Sequence, residues 1–140
     1  MTDFLAGNYL QASLKANSLG YDVIRFTDTT EVIFKTYFIL KNNGSNYWGT
    51  YIYNPDYCRP LVIQVPHPLK EINTGQQGIY VFHKTEALFY CLSGTSRCNH
   101  STYSGCDGTT TICSGTSERY RISDMAHNVS TIFQKTTEIL

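Results

Sequence analysis

Residues 59–74, RPLVIQVPHPLKEINT, decide the fold, because an apolar run stops there at a histidine. Residues 61–65 have the composition of a largely buried β-strand. Pro66 and Pro68 stand on either side of His67, and neither a helix nor a strand continues easily through prolines so placed. We therefore predict that His67 lies at the C-terminal end of a strand. In an open α/β sheet, this is the edge at which ligands bind.

A carboxylate follows this histidine at short range. Glu71 lies four residues after His67, and imidazole and carboxylate are two of the groups that zinc selects. The alternative interpretation is a loop histidine beside a solvated glutamate. Two potential ligands are common in sequences, whereas three or four make a site, so the pattern needs further members.

A helix and a second strand follow the histidine. Asn73 or Thr74 can cap a helix that continues through His83, although two glycines weaken it by roughly 1 kcal/mol each relative to alanine. Residues 87–92 form another apolar strand and close a strand-helix-strand unit of about 30 residues. Such a unit crosses over right-handedly, and its two strands are parallel.

The first half of the chain predicts a helix and a β-hairpin. Thr2 or Asp3 caps the helix, Gly20 ends it, and a short strand follows over residues 21–26. The apolar residues of this helix are Phe4, Leu5, Leu10 and Leu14. Strand-like segments at 31–40 and 47–53 are separated by Asn42-Asn43-Gly44-Ser45, which is a hairpin signal.

The C-terminal pattern completes the predicted fold. A helix is expected from Ser123 or Asn128 to Glu138, with a buried stripe formed by Val129, Ile132, Phe133, Thr136 and Ile139. We predict a single α/β domain over residues 1–140, with three layers and a mixed sheet. In this sheet the N-terminal hairpin precedes the strand-helix-strand unit.

Composition restricts the partners of this domain. The 11 basic and 11 acidic residues leave no net charge and are scattered along the chain, which argues against nucleic acid and anionic membranes. No apolar run approaches the roughly 20 residues that span a bilayer. The expected partner is a small-molecule or peptide substrate, and the sequence leaves the oligomeric state open. Residues 1–20 lack the pattern of a secretory signal, so the protein is intracellular or its leader is absent from this chain.

The cysteines favour a secreted or extracytoplasmic protein. Cys98, Cys106 and Cys113 lie in a Ser/Thr/Gly-rich loop with little apolar content, and we predict that a disulfide joins two of them. The alternative is a zinc knuckle that adds His100 to these cysteines, although it lacks the close CxxC pairs of common zinc sites. Three glycosylation sequons begin at Asn43, Asn99 and Asn128.

Two further segments carry candidate site residues. Arg97 follows the strand at 87–92, so it emerges at the same sheet edge as His67 if the two strands are parallel, and it can hold a substrate carboxylate bidentately. Asp124 and His127 are three residues apart, which suits a metal-ligating imidazole oriented by a carboxylate. The alternatives are a surface arginine, a plain N-cap aspartate and a solvated histidine.

Taken in order, these elements resemble the zinc carboxypeptidase and amidohydrolase superfamily. The matching features are the hairpin, the segment PLVIQVPH with Glu71 after it, the helix and strand, and the later His127. The likeness spans about residues 37–128 and is greatest to poly-gamma-glutamate hydrolases and N-formylglutamate amidohydrolases. It implies a zinc-dependent hydrolase of amide or peptide bonds, with His67, Glu71 and His127 as ligands of one Zn²⁺. It implies Arg97 as the catalytic residue that binds the substrate or the oxyanion.

The chain departs from this family in three respects. His127 is expected to precede a helix, whereas the family's second histidine usually ends a strand. Glu71 follows His67 at a separation of four rather than the family's three, and the family's catalytic glutamate lies well downstream of the second histidine. Here Glu138 is the sole acid after His127, about 16 Å further along a helix axis. We therefore expect little amide hydrolysis from residues 1–140 alone. Either they form the N-terminal part of a longer hydrolase domain, or the domain keeps the fold without its chemistry.

The second functional hypothesis is a secreted, disulfide-stabilised, non-catalytic binding domain. The chain has 11 tyrosines and a single tryptophan, Trp48. In such a domain, exposed aromatic side chains would matter more than the histidines. Metal analysis separates the two hypotheses, because a binding module has no reason to retain zinc.

Overall fold

The computed structural model describes residues 1–30, 32–44 and 47–140. It confirms the α/β fold with a mixed five-stranded sheet between helices. The strands of this sheet are β1 (Tyr21–Asp28), β2 (Lys35–Asn42), β3 (Thr50–Tyr53), β4 (Arg59–Val65) and β5 (Ala87–Leu92). Their spatial order is β1-β2-β3-β5-β4, in which β4 and β5 are parallel and the other neighbours are antiparallel.

Helices cover both faces of this sheet. The described helices are α1 (Thr2–Leu5), α2 (Tyr9–Ser18), α3 (Thr74–Thr85) and α4 (Ile132–Ile139). On one face, Phe82 of α3 packs with buried side chains of β2, β4 and β5. On the other face, α1, α2 and α4 contribute Phe4, Ala16 and Phe133 to a larger core that includes Phe89. No helix among the described residues is long and apolar enough to cross a membrane.

The prediction of one continuous N-terminal helix is wrong. The chain forms two helices separated by Gly7, whose φ of +73° lies in the left-handed region. In α2, Ala12 and Ala16 face the protein core, whereas Leu10 and Leu14 are exposed. The small alanine side chains let this helix approach the sheet closely. The residue before α1 is Met1, with no side-chain cap. The end of α2 before Gly20 is confirmed, with φ +80° at that glycine.

The predicted hairpin is confirmed, with shorter strands. β2 and β3 pair antiparallel, but β2 begins at Lys35, and Val32, Ile33 and Phe34 before it are exposed. Glu31, Ser45 and Asn46 lie outside the described residues, so the expected turn and the sequon at Asn43 are described only in part.

The strand before His67 is not the largely buried element that its composition suggests. β4 is an edge strand of the sheet, and only Val65, its final residue, is buried. Its neighbour β5 is an interior strand, and the first five residues of β5 are all buried. An edge position also explains how Pro60 fits within β4, because edge strands tolerate proline.

Gly78 of α3 has a packing role that its low helix propensity alone does not show. A Cβ atom on Gly78 would lie 2.6 Å from Val65 Cγ2 and 2.9 Å from Tyr90 Cε2. The missing side chain therefore lets α3 pack directly on β4 and β5. The helix begins after Asn73, as predicted, although the Asn73 side chain makes no capping hydrogen bond and φ there is +67°.

The C-terminal helix starts later than predicted. Thr131, rather than Ser123 or Asn128, is its N-cap, and its hydroxyl accepts a hydrogen bond from the Gln134 N–H at 3.2 Å. Phe133 and Thr136 are buried and Ile132 is half-buried, whereas Val129 and Ile139 are about half exposed. The predicted stripe is therefore correct only in its central part.

The cysteine-rich loop contains the predicted disulfide. Cys98 is bonded to Cys113, with the two Cα atoms 5.3 Å apart, and Cys106 keeps a free thiol. The alternative zinc knuckle is wrong, because two of its four ligands are joined to each other. Two short strands, β6 (Thr109–Thr110) and β7 (Glu118–Arg119), pair beside this disulfide.

Candidate functional site

The site lies where the parallel strands β4 and β5 end, which we call the carboxyl edge of the sheet. Val65 and Leu92 are paired at these strand ends, and the Ser93 N–H donates to the Val65 carbonyl at 3.0 Å. The backbone is unusually close-packed there, because a Cβ on Gly49 would lie 1.9 Å from the Leu92 carbonyl oxygen and φ of Gly49 is +97°. The carboxyl edge is therefore a fixed platform for the loops that follow each strand.

A tight turn after β4 brings Glu71 back beside His67. The N–H groups of Lys70 and Glu71 donate to the His67 carbonyl at 3.1 and 3.0 Å. Residues four apart in such a turn lie on the same side of the chain. The Glu71 carboxylate forms an ion pair with Arg97, which comes from the loop after β5. The parallel strands therefore deliver His67, Glu71 and Arg97 to one edge, as the sequence predicts.

Asp124 connects the two candidate histidine ligands. Its Oδ1 lies 3.5 Å from His67 Nε2, and its Oδ2 lies 3.1 Å from His127 Nδ1. The side chains of Asp124 and His67 are only 3% and 7% exposed, so this contact is shielded from water. The contact between Asp124 and His127 was predicted from their spacing. The contact between Asp124 and His67 was missed, because these residues are far apart in sequence and no local pattern links them.

Hydrogen bonds of Ser123 join the loop after β5 to the segment that carries Asp124. The Ser123 hydroxyl donates to the Arg97 carbonyl at 2.8 Å and accepts from the His100 N–H at 3.1 Å. Arg121 donates in addition to the carbonyl of Cys98 at 3.0 Å. The disulfide-bonded loop therefore fixes the position of Arg97 relative to Asp124.

The ring of His127 is oriented by an aromatic neighbour. It stacks on Tyr120 with ring centroids 3.6 Å apart and planes 3° from parallel. Its side chain is 36% exposed, which makes His127 far more accessible than the buried His67. Nothing in the spacing of residues 120–127 signals this contact beyond the presence of an aromatic residue.

Burial controls the charge of His67. Loss of hydration lowers the pKa of His67 below its ordinary value, and the Asp124 carboxylate opposes this effect. The charges of Arg97, Glu71 and His127 also act on the pKa of His67, which shows how closely these groups are gathered. At neutral pH the imidazole of His67 is therefore uncharged, the form that ligates metals and accepts protons.

Several buried nitrogens of the cluster have no hydrogen-bond partner among the described residues. They are His67 Nδ1, His127 Nδ1 and Arg97 Nε. His127 Nδ1 lies close to Asp124 Oδ2, but this nitrogen and this oxygen are not aligned as hydrogen-bond donor and acceptor. An unsatisfied buried polar group costs about 1–3 kcal/mol, so a folded chain retains few of them without a reason. Three of the five such side-chain atoms among the described residues lie in this cluster, which makes it the candidate site.

The donor types in the cluster fit zinc. Two imidazoles and two carboxylates, from His67, His127, Asp124 and Glu71, are the nitrogen and oxygen ligands that catalytic zinc sites use. As the side chains stand, however, no three His, Cys, Asp or Glu residues in the described part of the chain are arranged to hold a metal ion. Glu71 in particular is paired with Arg97. Zinc binding by these residues remains a prediction.

No protein-family model, curated protein or solved structure matches this chain. The resemblance to zinc carboxypeptidases and amidohydrolases therefore rests on the sequence motif alone.

Proposed function

We propose that the carboxyl edge is the active site of a zinc-dependent hydrolase of amide or peptide bonds. One observation carries the proposal: His67, Glu71, Arg97, Asp124 and His127 come from three separate loops and meet in one partly buried cluster. Three buried nitrogens of this cluster lack hydrogen-bond partners among the described residues. Structural ion pairs rarely gather so many chemically capable groups at the edge where parallel strands end.

In this proposal, His67 and His127 supply the nitrogen ligands. Each presents a buried Nδ1 without a hydrogen-bond partner among the described residues. Asp124 lies against both rings, and Glu71 is next to the cluster through Arg97. A catalytic zinc site uses three protein ligands, so one of the two carboxylates completes the set. When bound, zinc supplies a Lewis acid for the carbonyl and lowers the pKa of water.

The carboxylate that is not a ligand is then available as the general base. Such a base must come within about 3 Å of the attacking water, directly or through one bridging water. Glu138 does not suit this role, because it lies on α4 in an exposed ion pair with Lys135. With Asp124 in the cluster, residues 1–140 contain a candidate base that the motif alone does not provide.

Arg97 is suited to stabilise negative charge. Its side chain is only 14% exposed, and its backbone is fixed by Ser123. A guanidinium that exchanges Glu71 for a substrate carboxylate can form a bidentate, charge-assisted pair of hydrogen bonds, and it can also donate to an oxyanion. The ion pair with Glu71 would then hold Arg97 in place before the substrate arrives.

The test measures zinc content and amide turnover in the same samples of wild type, Glu71→Gln and Asp124→Asn. We expect about one zinc per chain in the wild type. The substitution that removes zinc identifies the third ligand, and the one that keeps zinc but removes turnover identifies the base. Glu138→Gln, which makes the same kind of change on an exposed carboxylate outside the cluster, is the control. A wild-type chain that neither retains zinc nor cleaves amides would contradict the proposal and favour a non-catalytic binding domain.

A further inference from the structure

A cavity of about 190 Å³ lies between the chain that leads into β3 and the loops after β5. Four lining residues are apolar or aromatic, namely Tyr47, Trp48, Ile122 and Met125, and the rest are His100 and serine, threonine and asparagine residues. None of its lining residues is a lysine, arginine, aspartate or glutamate. His100 is the one lining histidine, and its Nδ1 already accepts a hydrogen bond from the Thr102 N–H.

The cavity shares its walls with the loops that carry the proposed catalytic groups. Ser123 and Met125, which line the cavity, are the immediate neighbours of Asp124 in sequence, and Asn128 directly follows His127. Thr95, another lining residue, is two positions before Arg97 and is buried. The loops that carry Arg97, Asp124 and His127 therefore also form walls of this cavity.

Size and polarity restrict what the cavity can accept. A cavity of about 150 Å³ lined by apolar side chains is large enough to bind benzene, so this one has room for an aromatic ring. A charged side chain would lose its hydration there without gaining a charged partner, which is costly. The lining therefore favours an uncharged aromatic or large apolar group.

We propose that this cavity is a specificity pocket that takes an aromatic or large apolar side chain of the amide substrate. The proposal rests on the proposed function, because it treats the adjacent cluster as the place where the amide bond lies. It names the substrate class: peptides or amides with a hydrophobic residue next to the cleaved bond, in preference to acidic or basic residues.

The test uses the single tryptophan of the chain, Trp48, which lines the cavity. The full chain is titrated with N-acetylphenylalanine amide and with N-acetylglutamate amide, in the presence of a chelator so that turnover does not consume the ligand. Binding is followed by tryptophan fluorescence and independently by calorimetry. We expect the phenylalanine ligand to bind at least about tenfold more tightly than the glutamate ligand.

Two variants show where the ligand binds. Ser130 is exposed at the border of the cavity, so Ser130→Leu fills the entrance without disturbing the core. It should weaken binding of the phenylalanine ligand about tenfold. Ser101→Leu, on an exposed serine that does not line the cavity, should leave the affinity unchanged.

Equal affinity for the two ligands, absence of binding by both methods, or full binding by Ser130→Leu would each overturn the pocket. None of these results depends on zinc or on amide turnover. Failure of the pocket is therefore distinguishable from failure of the proposed hydrolase, which is judged by zinc content and turnover alone.

Discussion

A histidine is paired with an aspartate at each of the two ends of the strands, and the two pairs differ in burial. At the carboxyl edge, His67 and Asp124 are 3.5 Å apart, with side chains 7% and 3% exposed. At the opposite edge, which we call the amino edge, His83 and Asp28 are 3.7 Å apart and 31% and 18% exposed. Pairing alone therefore does not mark a functional site. The pair at the carboxyl edge differs in being buried and in having incomplete hydrogen bonds.

Each edge also has a pair between a cation and a carboxylate. Arg97 binds Glu71 at the carboxyl edge, and Lys35 binds Glu86 at the amino edge. At the amino edge, Asp28 is well satisfied, because it accepts hydrogen bonds from the N–H and hydroxyl groups of Thr30. Among the described residues, the unpartnered buried nitrogens of histidine occur only at the carboxyl edge. The unpartnered nitrogens at the carboxyl edge therefore support the proposal that this edge binds a ligand.

The largest expected difference between the edges concerns the cysteines. Replacing both Cys98 and Cys113 by serine removes a disulfide with a sequence separation of 15 and should lower the free energy of unfolding by about 3 kcal/mol. Cys58→Ser at the amino edge removes an exposed free thiol and should change it by less than about 0.5 kcal/mol. Urea denaturation of the unreduced proteins measures both. Equal stability of the two variants would contradict the role assigned to the disulfide.

The next difference concerns the two aspartates. Asp124→Asn should lower the free energy of unfolding by about 1–3 kcal/mol, because a buried carboxylate that accepts a hydrogen bond from the Ala126 N–H loses its charge. Asp28→Asn affects a more exposed pair and should cost less than about 1 kcal/mol. Thermal and urea unfolding at neutral pH provide the comparison. A larger loss in Asp28→Asn would show that burial does not separate the edges.

The smallest effect concerns the reactivity of Cys58. A hydrogen bond to Glu86 and the charge of that carboxylate raise the pKa of the Cys58 thiol. Glu86→Gln removes the charge and lowers this pKa, so more thiolate is present at pH 8 and alkylation should be about threefold faster. The free thiol of Cys106 in the same protein serves as an internal control. Slower or unchanged alkylation of Cys58 would contradict the assigned cause.

The sequence predicts the elements of the carboxyl edge well because they are consecutive in the chain. β4, α3 and β5 form a local unit, so the ends of both strands and the meeting of His67 with Arg97 follow from the apolar runs and the rule for parallel strands. The close contact of Asp124 with His67 could not be predicted. It depends on how the disulfide-bonded loop returns to the sheet, and long-range contacts of this kind leave no periodic signal.

The remaining errors have specific physical causes. The strand before His67 is an edge strand, because β3 pairs with β5 rather than with β4, and no local pattern encodes that choice. The first helix divides at Gly7, whose left-handed conformation outweighs the apolar spacing around it. α4 begins at a threonine cap because residues 121–127 form turns that position Asp124 and His127 instead.

The central claim is that the carboxyl edge, and not the amino edge, binds a metal ion. The most direct measurement is the zinc content of the full chain after equilibrium dialysis, compared between wild type, His67→Ala and His83→Ala. We expect about one zinc per chain in the wild type and in His83→Ala, and a sharp loss of zinc in His67→Ala. Equal zinc in all three proteins, or a loss confined to His83→Ala, would contradict this account.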